Sequence, residues 1–173
     1  MVTFLNTIRR IGGQFDIDNA GIRFYRQGNL NPIAIETNVH PGFMTDWQPP
    51  FVVLLTQANG MSVVHETVFE SRFGYVRELQ KMDADIALYD SCLGGSSCRF
   101  RFSNYRHSCV IKGPSALKGS TICVPDLRAG FTYVIAAILA QGQSTIMGVE
   151  HIERGYENIE KSLRQLGASI QVQ

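Results

Sequence analysis

The chain has 173 residues, 45% hydrophobic and 18% charged, which gives room and composition for one globular domain with a real core. A net charge of +1 excludes a global field that would draw it to nucleic acid or an anionic membrane, so any bound anion must be held by local arginines. The first ten residues space their apolar side chains without a small-residue cleavage site, and the longest apolar run, Phe131 to Ala140, is about half a membrane span, so the expected place is the cytosol.

In chain order, Phe4, Leu5, Ile8 and Ile11 recur at helical spacing up to the turn signal Gly12-Gly13. Phe15 and Ile17 then alternate with polar residues, Asp18-Asn19-Ala20-Gly21 turns, and Ile22 and Phe24 alternate again, which predicts a helix followed by a β-hairpin. A Pro/Gly-containing loop, His40-Pro-Gly-Phe-Met-Thr-Asp46-Trp-Gln48, leads into an apolar helix over Val52 to Ala58 that stops near Gly60. A β-branched strand through Ser62-Val63-Val64 follows, then Glu66-Thr-Val68-Phe69-Glu70-Ser-Arg72-Phe and a second helix.

The segment from Ser91 to Lys118 is the least regular, and it holds most of the cysteines. Cys92, Cys98, Cys109 and Cys123 form no C-x-x-C pair. A zinc set of Cys92, Cys98, Cys109 and His107 has suitable residue types but lacks the close paired spacing of zinc modules, so reduced thiols on strands and a loop are preferred and no metal is assigned. The alternating basic and aromatic residues of Arg99-Phe-Arg101-Phe-Ser-Asn-Tyr-Arg106-His107 are read as a strand pair with one solvated face rather than a nucleic-acid surface.

The second half repeats the first. Asp46-Trp-Gln-x-x-Phe51 matches Asp126-Leu-Arg-x-x-Phe131, each opening an apolar helix, the later one over Thr132 to Ala140. Each helix ends near a glycine, Gly60 or Gly142, and each strand beyond leads to an arginine, Arg72 or Arg154, and a second helix. Leu163-x-x-Leu166-Gly-Ala-Ser-Ile170 resembles Leu79-x-x-Met82-Asp-Ala-Asp-Ile86 and Ile8-x-x-Ile11-Gly-Gly-Gln-Phe15, each read as a last helical turn, a break and an entering strand. The expected unit is strand, helix, strand, helix, strand, strand. Residues 1–27 are the tail of one unit, 31–112 a complete one and 119–173 one that lacks its last strand, all within one domain. An unfinished unit leaves a sheet edge that favours pairing with another chain.

Four places combine residues able to do chemistry. Asp46 sits where a loop becomes a helix, able to take a proton from a hydroxyl, or, with Thr45, to cap the helix. Asp126 and Arg128 open the later helix, where backbone N–H groups and a guanidinium fork suit an anion, although a capping Asp and a surface Arg give the same pattern. Arg154 precedes Gly155, which keeps the backbone open beside it, or it serves an ordinary salt bridge. Backbone groups at Val68 and Phe69 offer a strand end to a ligand edge, or belong simply to the core.

Taken together, His-Pro-Gly-Phe-x-Thr-Asp-x-Gln, Glu-Thr-x-Phe-Glu-x-Arg-Phe, Asp-Leu-Arg-Ala and Ile-x-Arg-Gly-Tyr-Glu-x-Ile resemble, in order and spacing, the C-terminal portion of the UDP-N-acetylglucosamine enolpyruvyl transferases. The resemblance runs from Leu5 to Ile170. It implies an α/β fold, the inside-out α/β barrel built from repeated strand-helix units, here an incomplete domain that an N-terminal segment of the family's full chain returns to finish. It implies transfer of the enolpyruvyl group of phosphoenolpyruvate to the 3-hydroxyl of UDP-N-acetylglucosamine in peptidoglycan precursor synthesis, without a cofactor. Asp46 would accept the hydroxyl proton, Arg154 would hold phosphoenolpyruvate with Arg128 as a further anion contact, Asp126 would orient charged groups, and Val68 and Phe69 would line the sugar site. The family's lysine-asparagine pair and its loop bearing the general acid have no counterpart in this sequence, so a missing N-terminal half or a second copy is the expected partner. Trp47 and Pro49-Pro50 stand where other members carry less rigid residues, which bears on how the helix after Asp46 begins. The alternative is a non-catalytic binding or assembly module derived from this family. The His-Pro-Gly-Phe-x-Thr-Asp and Asp-Leu-Arg-Ala motifs argue against the shikimate-phosphate branch.

Overall fold

The apolar spacing at the N-terminus forms helix α1 (Val2–Arg10), which buries Leu5 and Ile8 and ends at the left-handed Gly12. The structure, a computed structural model, describes residues 1–95, 98–125 and 127–172, with the Leu127 side chain outside the description. Strands β1 (Gly13–Asp18) and β2 (Gly21–Arg26) form the expected hairpin. Its turn is closed by the Asp18 carboxylate, which accepts N–H bonds from Ala20 at 2.8 Å and Gly21 at 3.0 Å.

The next six elements build the central sheet. They are β3 (Ala34–Glu36), α2 (Gln48–Leu55), β4 (Gly60–His65), α3 (Val76–Lys81), β5 (Asp85–Tyr89) and β6 (Ser108–Gly113). The sheet order is β3-β4-β6-β5, with β3 parallel to β4 and β6 antiparallel to both neighbours. Val64 lies opposite Cys109, and His65 opposite Ser108. The later residues give β7 (Thr121–Cys123), α4 (Leu127–Leu139), β8 (Thr145–Met147), α5 (Glu150–Glu153) and α6 (Ile159–Gln165), with β7 and β8 in a parallel two-stranded sheet.

The core is continuous. Helix α2 is apolar all round and buries Phe51, Val52, Val53 and Leu55, while Tyr133 and Ala136 of α4 are fully buried in the same cluster. Backbone crowding fixes the crossings: a Cβ on Gly113 would overlap the carbonyl oxygens of Ala58 and Thr56, and one on Gly119 would overlap the Gln143 backbone. Among the described residues no helix is long and apolar enough to cross a membrane.

Three local expectations are corrected. The first apolar helix runs over Gln48–Leu55 rather than Val52 to Ala58, because Pro49 and Pro50 are accommodated in its first turn, where their missing N–H groups cost nothing, and the Thr56 hydroxyl turns back onto the Val53 carbonyl at 2.7 Å. The stretch from Arg99 to Asn104 is a chain of turns and not a strand pair: Phe100 is buried and Phe102 is 95% exposed. The strand expected at Ile170 is not formed among the described residues, where 168–172 pair with no neighbouring strand and the Ile170 carbonyl accepts from Arg164 instead.

Candidate active site

The site lies at one end of the central sheet, where β3 and β4 finish and β6 begins. In open α/β sheets this end collects ligand-binding loops. Its organiser is Glu66, fully buried just beyond β4. The carboxylate accepts from the Thr45 hydroxyl at 2.9 Å and the Gln48 amide at 3.4 Å, and from the Val68 and Phe69 N–H groups at 2.8 and 2.9 Å. One side chain thus fastens the loop ahead of α2 to the loop after β4. Gln48 is buried in turn and accepts from the Tyr75 hydroxyl at 3.1 Å. Burial pushes the Tyr75 hydroxyl well above the ordinary tyrosine pKa.

Asp46 stands in the 3-10 turn Thr45–Trp47 that precedes α2. Neither it nor Thr45 caps the helix, since two first-turn residues are prolines that offer no N–H. Asp46 instead accepts from Arg72 at 3.0 Å through Oδ1. The pair is asymmetric: the Arg72 side chain is 6% exposed and the Asp46 side chain 73%. Arg72 therefore anchors the carboxylate from beneath while Asp46 presents its other oxygen to solvent.

Phe69 links this group to the second repeat. The Arg72 guanidinium lies 5.9 Å from its ring centroid and the Arg128 guanidinium, from the first turn of α4, 4.6 Å. Asp46, Phe69 and Arg128 are thus brought together, through Arg72. Arg154 follows α5 directly and is exposed. Its neighbours seat it on the same turn of α4: Ile152 packs where a Cβ on Gly130 would sit, and Tyr156 stacks on Phe131 with centroids 4.8 Å apart. The N–H groups of Val68 and Phe69 point to Glu66, and the Val68 carbonyl accepts from Arg99 at 2.5 Å, so the ring of Phe69, 39% exposed, is what this strand end offers. Asp126 lies outside the described residues.

Sequence reasoning passed over Glu66 and took Arg72 only as a marker of the repeat. The signal was an acidic residue directly after an apolar β-branched strand, a position that is buried and so needs donors.

Repeated strand-helix units, the first around a four-stranded sheet and the second around a two-stranded one among the described residues, define an enolpyruvyl-transferase type of fold. The sequence profile described as EPSP synthase (3-phosphoshikimate 1-carboxyvinyltransferase) matches residues 1–172, and the chain belongs to that family. It is 55% identical over 171 residues to the UDP-N-acetylglucosamine 1-carboxyvinyltransferase of Protochlamydia amoebophila, covering 98% of this chain and 37% of that protein. The enzyme of the same name from Chlamydia abortus is 49% identical over 172 residues (98% of this chain, 39% of that one), and one from Listeria monocytogenes 40% over 163 residues (94% and 35%). Among solved structures, the enolpyruvyl transferase NikO from Streptomyces tendae superposes with a TM-score of 0.82 at 24% identity, over 98% of this chain and 36% of that one. EPSP synthase from Acinetobacter baumannii does so at 0.64 and 15%, over 99% and 37%. The chain therefore spans under two fifths of the relatives it matches.

Proposed function

We propose that this chain is the C-terminal part of a UDP-N-acetylglucosamine 1-carboxyvinyltransferase, working in the cytoplasm on peptidoglycan precursors and completed by an N-terminal half or a second chain. The observation that carries the reading is the exposed Asp46 carboxylate, anchored on buried Arg72 and joined through Phe69 to Arg128. The names of the relatives given above supply the acceptor, UDP-N-acetylglucosamine, and the carboxyvinyl group; the family resemblance supplies phosphoenolpyruvate as its donor. In the reaction, a general acid from the completing half protonates carbon 3 of phosphoenolpyruvate. The sugar 3-hydroxyl attacks carbon 2 and gives its proton to the solvent-facing oxygen of Asp46. Arg154 and Arg128 hold the phosphate and carboxylate while the tetrahedral intermediate expels phosphate from carbon 2 and gives up a proton from carbon 3, which restores the double bond. Asp126 orients charge nearby, and the ring of Phe69 lines the sugar, with Val68 behind it holding Arg99.

The test is phosphate release from phosphoenolpyruvate with UDP-N-acetylglucosamine, measured on the chain alone and with the N-terminal part of a relative supplied. Activity is expected only on complementation. Asp46→Ala should then lower kcat by about two orders of magnitude or more, with sugar-nucleotide binding retained. No activity in any combination, or a complemented Asp46→Ala enzyme whose kcat is unchanged, overturns the proposal.

A further inference from the structure

Behind Glu66 lies a group of side chains that the transfer reaction does not use. A ring nitrogen of His65 and of His107 and the sulfurs of Cys92 and Cys98 all lie within 4.8 Å of one another. All four cysteines are free thiols, and Cys109, included in the zinc set weighed from sequence, is buried in β6 outside this group. His65 takes its place, from the end of β4, with His107 directly before β6 and both other sulfurs in the loop between β5 and β6.

The hydrogen bonds fix which atoms are available. His107 Nδ1 lies 2.7 Å from the Tyr105 carbonyl, which can only accept, so the proton is on Nδ1 and the Nε2 lone pair points away. Nε2 is 3.3 Å from Cys92 Sγ. The Ser108 hydroxyl donates its one proton to the Ser91 carbonyl at 2.6 Å, so at 2.9 Å it must accept from His65 Nδ1. That leaves the His65 Nε2 lone pair buried, with no hydrogen-bond partner among the described residues, in a side chain of zero exposure. Cys98 Sγ accepts the Phe100 N–H at 3.3 Å. Both imidazoles are thus oriented by a bond at the far nitrogen, and one sulfur is already supported, as in the outer shell of metal-binding histidines and thiolates.

We propose that His65, Cys92, Cys98 and His107 form a structural zinc site. Two sulfurs and two imidazole nitrogens are a tetrahedral donor set for this ion. Bond lengths of about 2.3 Å to sulfur and 2.0 Å to nitrogen require ligand atoms roughly 3.3–3.8 Å apart, so no pair has to close by more than about 1.5 Å. On binding, each thiol releases a proton and the two thiolates balance the ion's charge, which suits a buried centre. An open polar hollow of about 730 Å³ lined by Cys92, Cys98 and Arg101 gives the ion a route in. The zinc would clamp the 92–107 loop against the sheet. Arg99 in that loop holds the Val68 carbonyl at 2.5 Å and Glu70 at 2.6 Å, and His65 is bonded in sequence to Glu66, so the clamp steadies the wall that carries Phe69.

The full chain, purified from cells under reducing conditions without chelator, should contain one zinc per chain by elemental mass spectrometry. Cys92→Ser with Cys98→Ser should reduce this at least tenfold, while Cys109→Ser and Cys123→Ser each leave it unchanged. Chelation should lower the Tm by about 10 °C. Because the double variant can fail to fold, cobalt(II) is added to the unaltered apo chain: tetrahedral d–d bands and a sulfur-to-metal charge-transfer band are expected. Zinc that stays near one per chain in the folded double variant, octahedral cobalt spectra, or a Cys92–Cys98 disulfide in the protein as isolated would each overturn the site.

Discussion

A single buried carboxylate does most of the positioning. Glu66 satisfies four donors, from the turn before α2, the first residue of that helix and the loop after β4, and the buried Gln48 amide among them would otherwise be withdrawn from water without this partner. Glu66→Ala should therefore destabilise the fold by about 3 kcal/mol, measured by denaturant unfolding, and loosen the position of Asp46. Tyr75 adds a pH dependence. Its folded pKa is raised by burial, so its contribution to stability is complete below about pH 10, where the unfolded side chain titrates, and is lost as pH rises through the folded value. Tyr75→Phe should flatten the alkaline limb of the stability profile while costing about 1–3 kcal/mol at neutral pH, since Gln48 loses its donor. Asp46 was legible in the sequence because a loop-helix junction with that motif is distinctive. The Arg72 beneath it was not, because a pair 26 residues apart depends on how two loops fold over the sheet end.

At the scale of elements, what could be read was periodicity. The hairpin and the strands around Val63 and Ile146 appear where alternation or a β-branched run placed them, and both apolar helices appear but start earlier than expected, at Gln48 rather than Val52 and at Leu127 rather than Thr132. What could not be read was where chemistry other than periodicity decides. Paired prolines moved the start of α2, and Arg99 and Arg101 lie over Phe100 and Phe102 in turns, giving the alternation of a strand without its backbone. Helix α5 illustrates a contact invisible to patterns. Gly130 lies in the first turn of α4 because Ile152 fills the space of its side chain, 2.8 Å from where a Cβ would stand. Alanine normally favours a helix interior over glycine by about 1 kcal/mol. Gly130→Ala should instead yield no gain in Tm, and in the complemented enzyme it should raise the KM for phosphoenolpyruvate several-fold, because displaced Ile152 carries Arg154 with it.

At the scale of the molecule, the two repeats are unequally supported. The central sheet has four strands with helices packed on it, whereas β7 and β8 form a ladder of only three residue pairs with no third strand among the described residues. Open parallel edges of this kind recruit partners. The chain alone should therefore associate with rising concentration in sedimentation, and Ile146→Pro, which removes the β8 N–H that alternation turns away from β7 (the Thr145 N–H being bonded to the Ser120 carbonyl), should reduce the association. A concentration-independent, well-folded monomer would contradict this.

That inequality also distributes stiffness. Asp46 stands on the four-stranded side, and Arg128 and Arg154 stand beyond the two-stranded ladder. Short two-stranded sheets are marginal by themselves, so amides of 121–123 and 145–147 should exchange with deuterium well before those of 62–65 and 108–111. Under the proposed function the two sides then behave like a vice with one fixed jaw and one sprung jaw: the Asp46 carboxylate keeps its place while the arginine side travels to meet whatever anion arrives.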